Sequence, residues 1–216
     1  EISACLVGSE MCIRDRQKGG PAAFALRATL AATMSPLWGV YSGYELYEHE
    51  PVTEGSEEYL DSEKYQLRPR DFDAALKRGE SLEPYITLLN QIRRDNPALQ
   101  QLRNIHFHDI ANDNLIAYSK VDAVTGNAVL VVVNLDPFFT QEGTLRLDVT
   151  ELGLNPGEPF EVHDMVTGET YTWGTENYVR LAPQVNVAHV FRLPQVPEGR
   201  RQALAYRRIS DHDYRP

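Results

Sequence analysis

The chain has 216 residues, a net charge of −10 and 24% charged residues. That length accommodates one or two domains, and the acidic balance argues against a nucleic-acid partner, which would normally present a basic face. No run approaches the roughly 20 apolar residues of a membrane helix, since the longest candidate, Ala128 to Leu135, is of strand length.

Residues 1–16, EISACLVGSEMCIRDR, have no basic n-region and no apolar run of signal-peptide length. No Met precedes Met11, and the stretch reads as a non-native, adapter-derived segment to be set aside from the fold. It contains both cysteines, Cys5 and Cys12. Without them no disulfide framework or cysteine metal site is expected, which suits a reducing cytoplasm.

From Pro21 to Met34 the Ala-rich run predicts a helix. Pro21 suits its first turn, and Phe24, Leu30 and Ala31 share a stripe. Ser35-Pro36 ends it, because the residue before proline disfavours helical geometry. Trp38, Val40 and Tyr41 read as a short strand, followed by Gly43, Glu45 and a long polar loop to Asp71. A second helix is predicted from Ser81 to about Asp95. Ser81 is its N-cap, Tyr85, Ile86, Leu89 and Ile92 form its apolar face, and Arg93-Arg94 sit at its carboxyl end. Asn96-Pro97 terminates it and marks a domain border.

Beyond that border the apolar period changes from 3.6 to 2. Strands are predicted at 105–110, 115–118, 144–149, 160–163, 170–173, 178–181 and 187–193. The unbroken apolar run Ala128–Val133 predicts a central strand. Turn signals at 112–114, 125–127, 155–157, 167–168 and Pro183 separate them. Strands spaced about 8–12 residues apart argue for an antiparallel β-sandwich over 97–197, a size that can hold a core of its own. The segment 198–216, with five arginines and two aspartates from Gly199 onward, is expected to be a disordered tail.

The block from Ser35 to Gln66 carries the chemistry. A strand that delivers the chain to a polar loop is the arrangement an α/β barrel uses at its C-terminal rim. Pro36, Gly39, Tyr41, Gly43 and Glu45 are spaced as in the last-strand motif of the α-amylase superfamily, which they resemble. The following Gly55-Ser-Glu-Glu-Tyr-Leu-Asp-Ser-Glu-Lys-Tyr-Gln66 resembles the bacterial maltosyltransferase family that extends α-1,4-glucans from maltose 1-phosphate. Asn134-Leu-Asp-Pro137 and Gln141-Glu-Gly143 continue the resemblance, which spans Gly19 to Leu193.

The resemblance implies an α/β plus all-β fold. Residues 17–96 would be the C-terminal remnant of a (β/α)8 TIM barrel, and 97–197 the antiparallel β-sandwich that closes it. It implies a retaining transfer of a maltosyl unit from α-maltose 1-phosphate to the non-reducing end of a glycogen-like α-1,4-glucan, with release of phosphate. No metal or organic cofactor is expected; a homodimer and a cytoplasmic location are. Lys64 and Tyr65 match the pair that contacts the donor maltosyl unit. An ammonium can donate to several hydroxyls, and a tyrosine offers both a flat face and a phenol.

No catalytic residue is assigned, since the three expected acids fall upstream of Gly19. Glu10 lies near the third, but its neighbours do not match, so the role is not carried over. The chain alone is therefore expected to be inactive. Glu57, Glu58, Asp61 and Glu63 read as a solvated acidic face. Glu45 is expected to brace the rim, His106 and His108 to form a packed or surface pair, and Trp38 and Trp173 to pack in the barrel and sandwich. Two other readings stay open: another superfamily enzyme, such as a trehalose synthase or amylase, or a non-catalytic carbohydrate-binding sandwich.

Overall fold

The computed structural model describes residues 10–53, 56, 59–60, 68–201 and 204, with 10–17 described by backbone only. Its helices are α1 (Glu10–Met34), α2 (Phe72–Arg78) and α3 (Glu83–Asp95). Its strands are β1 (Ile105–Ile110), β2 (Leu115–Val121), β3 (Ala128–Asn134), β4 (Gln141–Arg146), β5 (Phe160–Asp164), β6 (Thr170–Trp173), β7 (Glu176–Leu181) and β8 (Ala188–Arg192).

α1 starts earlier than predicted and is two helices joined at Gly20, whose φ of 60° and ψ of −160° break the helix. Pro21, which has no N–H to lose, opens the second segment as expected. α3 begins two residues after Ser81, yet the Ser81 hydroxyl still accepts from the Glu83 amide at 3.2 Å. α2 was absent from the sequence prediction. It is held by Asp71, which accepts from Ala74 N at 2.9 Å, and by Gly79 in the left-handed region.

The predicted strand at Trp38–Tyr41 does not form. Residues 37–41 have no regular structure, and the part before residue 97 contains no strand among the described residues, only the isolated bridge Pro51–Tyr59. A strand needs a hydrogen-bonded neighbour, and none of the described residues lies beside this one.

All strand pairs are antiparallel, in the order β6-β5-β8-β3-β2-β1-β4-β7. The sheet turns a corner at β1, which pairs β2 through residues 105–108 and β4 through 109–110. A six-stranded layer therefore faces the layer of β4 and β7, with Leu130, Val132, Leu145, Val162, Val179 and Phe191 buried between them. β3 is the central strand its apolar run predicted, and it is buried on both sides. β4 starts and ends three residues earlier than expected; beyond it Leu147 N bonds Thr175 O at 2.8 Å.

The second face of the six-stranded layer is covered by helices. Leu26 of α1 and Ile92 of α3 pack with Tyr118, Val129, Val131, Val133 and Val190. The helices and the sheet thus share an apolar core across the predicted border.

Two hairpins are closed by the same sequence, Asp-x-Val-Thr-Gly, at 122–126 and 164–168. In both, the aspartate side chain accepts from the valine amide and the threonine hydroxyl, and the glycine amide bonds the aspartate carbonyl. Burial pushes both carboxyls up. These bonds, with Gln101 at Asp122 and His189 at Asp164, outweigh it and hold both below the ordinary range. The stretch expected to be a tail begins as a helical turn at 198–201, and Leu204 is buried in the sandwich core.

Candidate functional site

The segment that leaves α1 is fixed by cations. Arg93 of α3 donates to the carbonyls of Ala32, Ser35 (2.8 Å) and Pro36 (2.7 Å). Lys120 of β2, fully buried, reaches Met34 O at 3.1 Å and Gln101 O at 2.5 Å. The carbonyls that end a helix have no intrahelical donor, and positive charge suits that end of the helix dipole. Burial, and then the neighbouring Arg93, pulls the Lys120 ammonium down to about 8.

From there the chain turns sharply. Gly43 adopts φ 97°, which favours glycine, and a Cβ at that position would push the Glu48 carboxylate aside. Tyr44–Leu46 form a single 3-10 turn, and Tyr47 is left-handed at φ 56° and ψ 31°. Phe24 of α1 sits under this turn, with the rings of Tyr44 and Tyr47 at 4.9 and 5.4 Å. Burial raises the Tyr47 phenol. Glu45, expected to brace a barrel rim, bonds within this turn: its carboxylate accepts from Gly43 N at 3.1 Å, and its carbonyl accepts from Leu82 N at 2.8 Å.

Glu48 and Arg70, which sequence reasoning did not single out, form a two-pronged ion pair. Nε–Oε1 is 2.8 Å and Nη2–Oε2 is 3.1 Å. Arg68 Nε lies 3.5 Å from the same carboxylate. A shallow cavity of about 430 Å³ opens beside the pair, lined by Pro69, Arg70, Asp71, Phe72 and Asp73. The signal was weak, because these charges are 22 residues apart in a stretch full of charge.

Lys64 and Tyr65 lie outside the described residues, as do Glu57, Glu58, Asp61 and Glu63. The remaining candidates fall where bland chemistry would put them. His106 and His108 pack together at 5.0 Å on β1. Both ring nitrogens of His108 are engaged: Nε2 with Ser119 Oγ at 2.8 Å, and Nδ1 accepting from Asp148 N at 3.2 Å. Burial, then His106, pulls His108 down to about 4 against the pull of Asp148. Trp38 packs against Ala28, Ala32 and Leu89 and donates to Asn90 Oδ1 at 3.1 Å. Trp173 packs on Phe191 at the edge of the sandwich core.

The motif Asn134-Leu-Asp-Pro137 is a turn. The Asn134 amide donates to Phe139 O and Leu181 O, and Asp136 accepts from the Phe138 and Phe139 amides. Gln141 Nε2 closes it on Asp136 at 3.0 Å. Among the described residues no cluster of three or more His, Cys, Asp or Glu could hold a metal, and no helix is long and apolar enough to cross a membrane.

Residues 107–193 match the family model described as GLGE, C-terminal. An α-1,4-glucan:maltose-1-phosphate maltosyltransferase of Corynebacterium glutamicum is 66% identical over 91% of this chain and 29% of its own length. One of Mycolicibacterium smegmatis is 62% identical over 88% of the chain and 27% of its own length. The chain thus spans under a third of these relatives. In fold it is similar to a maltogenic α-amylase of Thermotoga neapolitana (TM-score 0.51, 12% identity, 80% of this chain and 36% of that one). A pullulanase from Anoxybacillus gives TM-score 0.51 at 19% identity, over 79% of this chain and 23% of its own.

Proposed function

We propose that the chain is part of an α-1,4-glucan:maltose-1-phosphate maltosyltransferase, a part that includes the C-terminal domain, and that it serves maltosyl transfer. The donor is α-maltose 1-phosphate and the acceptor is the non-reducing end of an α-1,4-glucan. The observation that carries this reading is 66% identity over 91% of the chain. The fold alone does not separate a transferase from an amylase, because both solved neighbours are hydrolytic enzymes by name.

In this reading residues 17–96 are the last part of a (β/α)8 barrel, and 97–197 are the C-terminal β-sandwich. An enzyme carboxylate attacks C1 of the maltosyl unit and the C1–phosphate bond breaks. The acceptor 4-hydroxyl, giving its proton to a second enzyme carboxylate, then displaces the first from C1, so the anomeric configuration is retained. Those carboxylates are assigned to no residue of this chain. Lys64 and Tyr65 contact the donor maltosyl unit. The intact enzyme is cytoplasmic, works as a homodimer and needs no metal or organic cofactor; this chain alone is inactive.

The test is a hybrid in which this chain, from Gly19, replaces the matching part of the Corynebacterium glutamicum relative. The hybrid should release phosphate from maltose 1-phosphate when glycogen is present, and the 216-residue chain should release none above a boiled control. Lys64→Ala removes a charge-assisted bond of about 1.5–3 kcal/mol, or on the order of 10- to 100-fold in kcat/KM. A folded but inactive hybrid, or unchanged donor kinetics in both Lys64→Ala and Tyr65→Ala, would overturn the respective assignment.

A further inference from the structure

We propose that Glu48 and Arg70 are positioning residues that hold the turn Ser42–Glu48 in a single geometry for the donor sugar. This rests on the reading of that turn and the loop after it as the donor-facing part of the chain. Three separate points of the backbone meet at the Glu48 carboxylate. Arg70 grips it with both prongs, at 2.8 and 3.1 Å, and its third nitrogen donates to Ser42 Oγ at 3.3 Å. The same carboxylate lies so close over Gly43 that a Cβ there would displace it from its place on Arg70. Arg68 Nε approaches it at 3.5 Å, and Arg68 Nη1 donates to Leu60 O at 2.8 Å.

The pair is largely withdrawn from water, with the Arg70 side chain 6% exposed and that of Glu48 17%. A withdrawn ion pair adds little net stability, because desolvation of both charges offsets their attraction. What it supplies is a fixed geometry, since a planar fork on a carboxylate permits one alignment. One residue of the turn needs such fixing. Tyr47 occupies the left-handed region, a conformation that glycine adopts freely but that costs a tyrosine about 1–2 kcal/mol. A strained conformer persists only where its surroundings over-determine it. The pair does so from one side, and Phe24 with the Glu45 carbonyl bond to Leu82 N does so from the other.

The substitutions that separate positioning from plain stability are Arg70→Lys, which keeps the charge and loses the fork, and Glu48→Gln, which keeps the shape and loses the charge. In the 216-residue chain, amide hydrogen exchange at Tyr47 and Glu48 should quicken about 10-fold or more in either variant, with α3 amides unchanged. In the hybrid, the donor KM should rise about 10-fold while kcat stays within about two-fold. Arg78→Ala, which opens an ion pair more than half exposed to solvent, is the control and should do neither. Unchanged exchange at Tyr47 and Glu48 would overturn the proposal, as would a fall in kcat at constant KM. If the unsubstituted hybrid is inactive, the functional reading fails by itself, and the exchange experiment still decides whether the pair fixes the turn.

Discussion

The two faces of the six-stranded layer are held by different physics. Its inner face meets the β4–β7 layer mainly through aliphatic and aromatic contacts around Leu130, Val132, Leu145 and Phe191, with two bonds at its margins, Asn134 Nδ2 to Leu181 O and Asp148 N to His108 Nδ1. Its outer face meets the helices through Val129, Val131 and Val133, but also through directed polar bonds. Thr33 of α1 engages Tyr118 OH of β2 at 2.5 Å, and Thr29, one turn earlier, ties α1 to α3 through Tyr85 OH at 2.7 Å, while each threonine also donates to the carbonyl four residues before it. Lys120 completes the joint at the end of α1. The polar bond to Tyr118 sets one register of helix on sheet, because a displaced tyrosine would leave a buried hydroxyl unpaired.

The largest break in this comparison is to remove the helices altogether. A 97–197 fragment would expose Tyr118, Val129, Val131, Val133 and Val190, all less than 1% exposed in the chain. At about 1.5–3 kcal/mol per side chain, the loss is on the order of 10 kcal/mol, which rivals the whole stability of a typical domain. Urea unfolding of the fragment should be gradual or accompanied by aggregation. A cooperative transition with a midpoint near that of the full chain would show the two parts to be independent.

Single substitutions sharpen the contrast. Leu130→Ala on the inner face should cost about 2–5 kcal/mol in chemical unfolding, as large-to-small changes in a closed core do. Tyr118→Phe on the outer face keeps the ring and drops one hydrogen bond, so about 0.5–1.5 kcal/mol is expected. Equal losses would mean that the outer face depends on its polar bonds more than its packing suggests.

How far the sequence foretold this follows from the same contrast. Period-2 alternation and the run Ala128–Val133 placed the strands because apolar burial leaves a local pattern. The joint left none: Lys120 sits between Ser119 and Val121 with nothing to mark it as buried, and its carbonyl partners are 86 and 19 residues away. The Trp38–Tyr41 run reads as a strand by composition, yet pairing is a property of neighbours and not of the run itself. α2 was missed because seven residues give too few turns for a period, although Asp71 and Gly79 are its start and stop signals. Of the candidate site, Gly43 and Glu45 were legible through spacing. Glu48 and Arg70 were not, since an ion pair between distant loop positions has no sequence signature.

The two faces should also respond to opposite ends of the pH scale. His108, among the strands, has its pKa lowered to about 4 from an ordinary 6.5. Between these values the unfolded chain binds more protons than the folded one, so stability falls as pH drops from about 6.5 to 4. Lys120, at the helix joint, is lowered to about 8 from 10.5 by burial and by Arg93 of α3. The same sign applies over a different window: its contribution rises with pH from about 8 to 10.5. Thermal unfolding across pH 4 to 10.5 should show an acid limb that His108→Gln flattens and an alkaline limb that Lys120→Met flattens. An alkaline limb unaltered by Lys120→Met would place the titrating group elsewhere.

The smallest difference to resolve is between the twin turns, which are alike in sequence and hydrogen bonding but differ in what covers them. Gly126 and Gly168 have φ of 76° and 80°, so alanine at either position meets the left-handed penalty of roughly 1–2 kcal/mol. At Gly168 the space for a methyl group is open. At Gly126 the methyl would lie 2.5 Å from Val196 O and 2.6 Å from Arg201 Nε, where the C-terminal helical turn docks. Arg201 holds that turn in place through Val196 O at 2.8 Å and Val124 O at 3.1 Å. Gly168→Ala should therefore lower stability by the backbone penalty alone. Gly126→Ala should cost more and should speed amide exchange at Val196, whose N–H bonds Gly126 O at 2.9 Å. Deleting residues 198–216 should bring the two alanine variants closer together, because the obstacle at Gly126 is partly Arg201. If the gap between them persists after the deletion, the close approach of the Val196 carbonyl alone accounts for it.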